Sequence, residues 1–153
     1  MKPLTLSKTK KMKLAIGADH AGYAMKSHII SVLTQQGHEV IDMGTNSKES
    51  VDYPDFAHSV ARSVIDGNVS LGIIMCGSGN GINMTANKHR GIRSALCWTE
   101  EIAKLARAHN DANVCALPAR YLSMQEGEKI VEAFLNGSFE GGRHERRVNK
   151  IEC

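Results

Sequence analysis

Leu71-Gly72-Ile73-Ile74-Met75-Cys76-Gly77-Ser78-Gly79-Asn80-Gly81 is the stretch on which the fold turns. Its first five residues form an unbroken apolar run, the pattern of a strand buried on both faces rather than one half in water. Three glycines at alternate positions follow, where a backbone turns sharply and leaves N–H groups uncovered by Cβ atoms. Ile82-Asn83-Met84-Thr85-Ala86-Asn87-Lys88 then has the composition of a helix start. Strand, glycine turn and helix N-terminus together make a place for negative charge. A cysteine stands at the junction, and a thiol beside an anion hole is more than a phosphate cradle requires.

On either side the same alternation repeats. Upstream, Lys13 to Ala18 reads as a strand ending in Asp19-His20-Ala21-Gly22. A helix follows with Met25, Ile29, Val32 and Leu33 on one stripe, closing at Gly37. His38 to Met43 is a second strand and Gly44 to Asp52 a polar loop. Tyr53-Pro54-Asp55 opens a helix whose Phe56, Val60 and Val64 recur at helical spacing. Downstream, Ile92 to Trp98 is a fourth strand, and Thr99 caps a helix with Glu100 and Glu101 in its first turn. That helix is expected to turn Ile102, Leu105 and Ala106 inward and to run out at His109-Asn110-Asp111. Asn113 to Leu117 is a fifth strand, and Ser123 caps a helix carrying Ile130, Val131, Phe134 and Leu135. The tail from Ser138 to Cys153 holds Arg143, His144, Arg146 and Arg147. Five strands alternating with helices imply βαβ crossovers and an α/β fold with a five-stranded parallel sheet covered on both faces.

With 153 residues the chain has room for one domain, here 13–153, preceded by a basic arm over residues 1–12. Net charge is +3, but the arm holds four lysines and no acid, so the rest carries −1. A near-neutral body argues against nucleic acid, whose binding proteins present a strongly basic face. The arm reads as a short solvated tail without the apolar segment of a signal peptide, and no run reaches transmembrane length. Cys76, Cys97, Cys115 and Cys153 form no C-x-x-C pair, which excludes the usual zinc and redox motifs. Cys97 and Cys115 sit in apolar runs as small buried hydrophobes, and reduced thiols suit the cytoplasm.

In sheets of this class, ligands sit beyond the carboxyl ends of the strands, where strand order switches. Asp19 and His20 follow the first strand, and Cys76 and Ser78 the third. Taken alone, each has a second reading. Asp19 is equally a helix cap and His20 a solvated side chain, while a lone cysteine ending a buried strand is commonly structural. A thiol at a helix N-terminus beside N–H donors is, however, the setting that favours a nucleophilic or basic thiolate. The run GSGNG is not the dinucleotide fingerprint G-x-G-x-x-G, since its third glycine position falls on Ile82, nor does it end in the Lys-Ser/Thr of a P-loop. His109 and Asn110 are the exception, since they follow a helix; a route to the site, that of a neighbouring subunit included, stays open to them. His109 is otherwise a helix C-terminal cation and Asn110 a cap. Arg143 and Arg147, four apart, share one side of a helical turn and suit a phosphate monoester, with Arg120 after the fifth strand a third candidate; singly they are a solvated face.

These residues resemble the ribose-5-phosphate isomerase B family, within the sugar-phosphate isomerases that include galactose-6-phosphate isomerase subunits. The resemblance is carried by Asp19-His20-Ala21-Gly22, Asp52-Tyr53-Pro54, the run from Cys76 to Ile82, Ala86-Asn87-Lys88, Arg107 to Asp111 and Glu140 to Val148, in order over 13–150. It implies a Rossmann-like three-layer αβα sandwich, a homodimer or dimer of dimers, and an aldose–ketose isomerase needing no cofactor or metal. By the same resemblance Cys76 is the base that moves the C2 proton of ribose 5-phosphate to C1 through a cis-enediolate. Gly77, Gly79, Asn80 and Gly81 line the anion hole, and Ser78 faces a substrate oxygen. His109, helped by Asp19, opens the furanose ring, and Asn110 holds hydroxyls. His20, Arg120, Arg143 and Arg147 bind phosphate, and Tyr53 lines the pocket. Some relatives use a glutamate just beyond the glycine run; this chain has Asn83, Met84 and Thr85 there. Two alternatives stay open: an isomerase of a six-carbon phosphate such as allose or galactose 6-phosphate, and a non-catalytic phosphosugar- or nucleotide-binding module.

Overall fold

The computed structural model describes residues 10–153; the greater part of the lysine-rich arm, residues 1–9, lies outside it. Strands and helices alternate as β1 (Lys13–Ala18), α1 (Tyr23–Gln35), β2 (Glu39–Asp42), α2 (Tyr53–Ile65), β3 (Leu71–Cys76) and α3 (Asn80–Ala86). They continue as β4 (Ser94–Leu96), α4 (Glu100–Asn110), β5 (Val114–Pro118), α5 (Met124–Asn136) and α6 (Arg143–Val148). Single 3₁₀ turns, His20–Gly22 and Ala119–Tyr121, follow β1 and β5. All strand pairs are parallel, in the order β2-β1-β3-β5-β4.

This order, with right-handed crossovers, dictates the layers. Connections stepping toward β2 leave the sheet on one face and those stepping toward β4 on the other. Steps β1→β2 and β4→β5 go one way, placing α1 and α4, joined by α5, over Ile16, Ile73 and Cys115. Steps β2→β3 and β3→β4 go the other way, placing α2 and α3 over Ala15, Ile74 and Ala116. β3 is central and buried at all six positions. Its Ile73, Ile74 and Met75 are fully inaccessible, each worth about 1.5–3 kcal/mol of burial. Both its neighbours, β1 and β5, send their following helices to the opposite face from α3. Crevices therefore open on both sides of the carboxyl end of β3.

Several local expectations hold. Thr99 Oγ1 accepts from the Ile102 N–H at 3.2 Å and Ser123 Oγ from the Glu126 N–H at 3.0 Å, capping α4 and α5. Cys97 and Cys115 are fully buried free thiols. The Cys97 thiol beside it, together with burial, pushes the Cys115 thiol well above its ordinary range. At the other end of the chain, Met12 packs on the core and its N–H donates to His38 Nδ1 at 3.1 Å.

Others are corrected. Ile102 and Leu105 are 46% and 37% exposed, because α4 turns Ala103 and Ala106 inward, small residues that let it lie close to α5. β4 is only Ser94–Leu96: as an edge strand it has one neighbour, and Arg93 before it is held by Asn110 O and Asp111 O. Lys26, unforeseen, is 1% exposed, and its Nζ lies 2.8 Å from both carboxylate oxygens of Asp42. Its stem extends the stripe of Met25 and Ile29 while the ammonium reaches the end of β2. Asp42 Oδ1 also accepts the Gly44 N–H at 2.9 Å, so this pair fixes where the 44–52 loop begins.

Candidate active site

At the carboxyl end of β3 a cleft of about 380 Å³ is lined by Asp19, Tyr53, Cys76, Gly77, Ser78, Gly81, Arg120 and Tyr121. Each wall has a local cause. Cys76 is the last residue of β3, 5% exposed, in register with Pro118 of β5. Gly79 turns the chain into α3 with φ +77°, a conformation that favours glycine, and a Cβ there would stand 2.5 Å from Leu96 Cδ1. Gly81 carries the Tyr53 ring on its Cα, where a Cβ would be 2.4 Å from the ring carbon Cζ. Arg120 donates its backbone N–H to Gly77 O at 3.0 Å and lays its guanidinium against Gly77. Among the described residues, the N–H groups of Gly77, Ser78, Gly79 and Gly81 find no acceptor, while Asn80 N–H donates to Ser78 Oγ at 3.3 Å.

On the β1 side, Asp19 is 6% exposed and its Oδ1 accepts from Ala21 and Gly22 N–H at 3.0 and 3.2 Å. Capping and a place in the cleft are thus both true of it. His20 Nδ1 accepts the Val51 N–H at 3.2 Å. That bond makes Nδ1 the acceptor and leaves Nε2–H as a donor for an anion.

His109, Asn110, Arg143 and Arg147 are elsewhere. α4 runs antiparallel to the sheet for eleven residues, about 16 Å, so its last turn lies at the amino end of the strands. There Glu140 N–H donates to Ala108 O at 3.0 Å, tying the tail to α4. The rings of His109 and His144 stack with centroids 4.2 Å apart and planes 9° apart. Glu140 Oε2 lies 3.8 Å from His109 Nε2 and 3.4 Å from His144 Nε2. Burial, then the nearby charges of His109 and Arg143, hold His144 below the ordinary histidine range against the pull of Glu140. The tail does form a helical turn, α6, and Arg143 and Arg147 are exposed on it. Asn110 borders a larger hollow, about 560 Å³, at the amino end of β4 with Lys88, Arg93 and Ile151. Size does not make that hollow the reactive site, since the buried thiol and the unpaired N–H groups are in the smaller cleft.

One chain therefore assembles Asp19, Tyr53, Cys76, Gly77, Ser78, Gly81 and Arg120 with His20 beside them, and keeps His109, Asn110, Arg143 and Arg147 in a second group. Tyr121 went unread in the sequence, though it directly follows Arg120. Glu140 and His144 also went without a role; their spacing of four on a glycine-led turn was the available signal.

The chain matches the family model described as Ribose/Galactose Isomerase over residues 14–151. It is 45% identical to ribose-5-phosphate isomerase B of Escherichia coli, over 91% of this chain and 93% of that protein. The structure of ribose 5-phosphate isomerase from Thermotoga maritima superposes with TM-score 0.91 at 46% identity, covering 93% of this chain and 98% of that one. The enzyme of Mycoplasma genitalium, solved with bound ribulose 5-phosphate, superposes with TM-score 0.87 at 43% identity, covering 91% and 93%. No described helix is long and apolar enough to cross a membrane. Sequence and fold agree, and the chain belongs to the ribose/galactose isomerase family.

Proposed function

We propose that the protein interconverts D-ribose 5-phosphate and D-ribulose 5-phosphate, by ring opening followed by proton transfer through a cis-enediolate. The observation that carries this reading is Cys76 at the end of β3, sharing one cleft with the unpaired N–H groups of the glycine turn. The thiolate takes the C2 proton of the open-chain aldose. The C–H electron pair becomes the C1=C2 bond, and the carbonyl oxygen gains the charge that the glycine N–H groups meet, a contribution of a few kcal/mol. The C2 hydroxyl proton passes to the C1 oxygen, the carbon-bound proton returns to C1, and the C2 oxygen becomes the ketone. Ser78 keeps its hydroxyl proton to offer to a substrate oxygen. No carboxylate on α3 competes for the base role: Thr85 Oγ1 is bound to Gly81 O at 2.8 Å and Met84 is 64% exposed.

The phosphate is met by His20 and Arg120 of the same chain and by Arg143 and Arg147 of a second copy, whose His109 opens the ring and whose Asn110 holds hydroxyls. The separation of the two groups within one chain favours this homodimeric arrangement, of a cytoplasmic enzyme without cofactor. Phosphate binding then supplies remote energy that positions C1 and C2. The test is appearance of ketose from ribose 5-phosphate with protein kept in EDTA. Tight binding without turnover would leave a binding module, and a higher kcat/KM on allose 6-phosphate would move the substrate to six carbons.

A further inference from the structure

We propose that His109, Glu140 and His144 form a binding site for a divalent transition-metal ion that prefers imidazole, zinc above all, and that filling it inhibits the enzyme. The three ligand atoms, one from each side chain, all lie within 4.8 Å of one another. Two imidazoles and one carboxylate are a ligand set zinc takes with an open fourth position. Zinc–ligand bonds of about 2.0–2.2 Å put tetrahedral ligand atoms about 3.3–3.6 Å apart. The two imidazole-to-carboxylate separations, 3.4 and 3.8 Å, are already close to that.

The backbone brings the three together without the ion. Glu140 is pinned beside Ala108, the residue before His109, and His144 N–H donates to Gly141 O at 3.1 Å to start α6. His144 is buried, while the side chains of His109 and Glu140 are 37% and 57% exposed, which gives an ion entry and water a coordination position. The stacked rings point their lone pairs alongside rather than at one another, so capture requires His109 to tilt out of the stack. Arg143 and Arg147, both close enough to act on His144, oppose a cation and keep the site weaker and more reversible than a structural zinc centre. No step of isomerisation passes through the metal. Its effect rests on the reading of His109 as the ring-opening group, whose Nε2 the ion occupies.

The experiment is a cobalt(II) titration of the EDTA-stripped full-length protein, followed by visible absorption, with zinc inhibition measured from the aldose. Expected is a four- or five-coordinate cobalt spectrum without a thiolate-to-cobalt band. Glu140→Gln and His144→Asn should abolish the spectrum and raise the inhibiting zinc concentration at least roughly tenfold. His109→Asn, at a half-buried position, should abolish the spectrum too, with the fold checked by circular dichroism. A thiolate band, or a spectrum unchanged in all three variants, overturns the site. A site that fills as expected while turnover from the aldose continues overturns the proposed inhibition and the ring-opening role of His109, and leaves only the metal site standing.

Discussion

The carboxyl end of β3 and the last turn of α4 are built by opposite means. Around Cys76 the shape comes from main chain: a buried strand, a positive-φ glycine, and an aromatic ring and a guanidinium resting on bare Cα atoms. Around His109 it comes from side chains on a helix end and a tail, joined by one backbone bond, a ring stack and a carboxylate within reach of both imidazoles. The first is fixed by the strand and turn that carry it, because its donors belong to the main chain. The second can reach. The proposed reaction would use both, one end for proton transfer and the other for ring opening and phosphate, if two chains bring the ends together.

Removing the thiol attacks the rigid end. Cys76→Ala should cut kcat by about 10²–10⁴-fold, with KM and melting temperature little changed. Stopped assays at saturating ribose 5-phosphate check this, and a variant keeping a tenth of the activity would move the base elsewhere. Joining the ends is tested by mixing. Cys76→Ala and His109→Asn homodimers, each crippled from the aldose, should regain about a quarter of wild-type activity after subunit exchange, since half the dimers then carry one intact site. If mixing restores nothing, both groups serve one chain or His109 is not needed.

Smaller effects sharpen the contrast. Arg147→Ala should raise KM for ribose 5-phosphate about tenfold or more, the loss of one charge-assisted phosphate contact, and erode discrimination against free ribose. It should leave stability unchanged, because Arg147 is exposed. Gly79→Ala should instead cost stability. Its Cβ meets Leu96 and its φ is +77°, so chemical denaturation should show a loss of about 1–3 kcal/mol.

The least effect concerns pH. Burial and then Lys11 lower the pKa of His38, whose Nδ1 accepts the Met12 N–H and would lose that bond on protonation. The unfolded chain takes this proton more readily than the native one, so stability falls as pH drops below about 6.5. His38→Gln should flatten that fall, by on the order of a few °C in Tm at pH 5.5.

Much of this was open to reading in the chain itself. The unbroken apolar run before Cys76 made β3 central, because a strand covered on both faces has no polar side to show. Thr99 and Ser123 announced their helices because a capping hydroxyl answers only to the next three residues. The catalytic candidates around the glycine turn were visible for the same reason, their geometry being local. Tertiary structure alone decided the rest. Ile102 and Leu105 look inward by composition but are exposed, since α4 rotates to seat Ala103 and Ala106 against the core. Lys26 looks solvated but is buried, since Asp42 waits at the end of a different strand. That His109 stands a helix length from Cys76 follows from the direction of α4 relative to the sheet, a property of packing between elements that no spacing along the chain encodes.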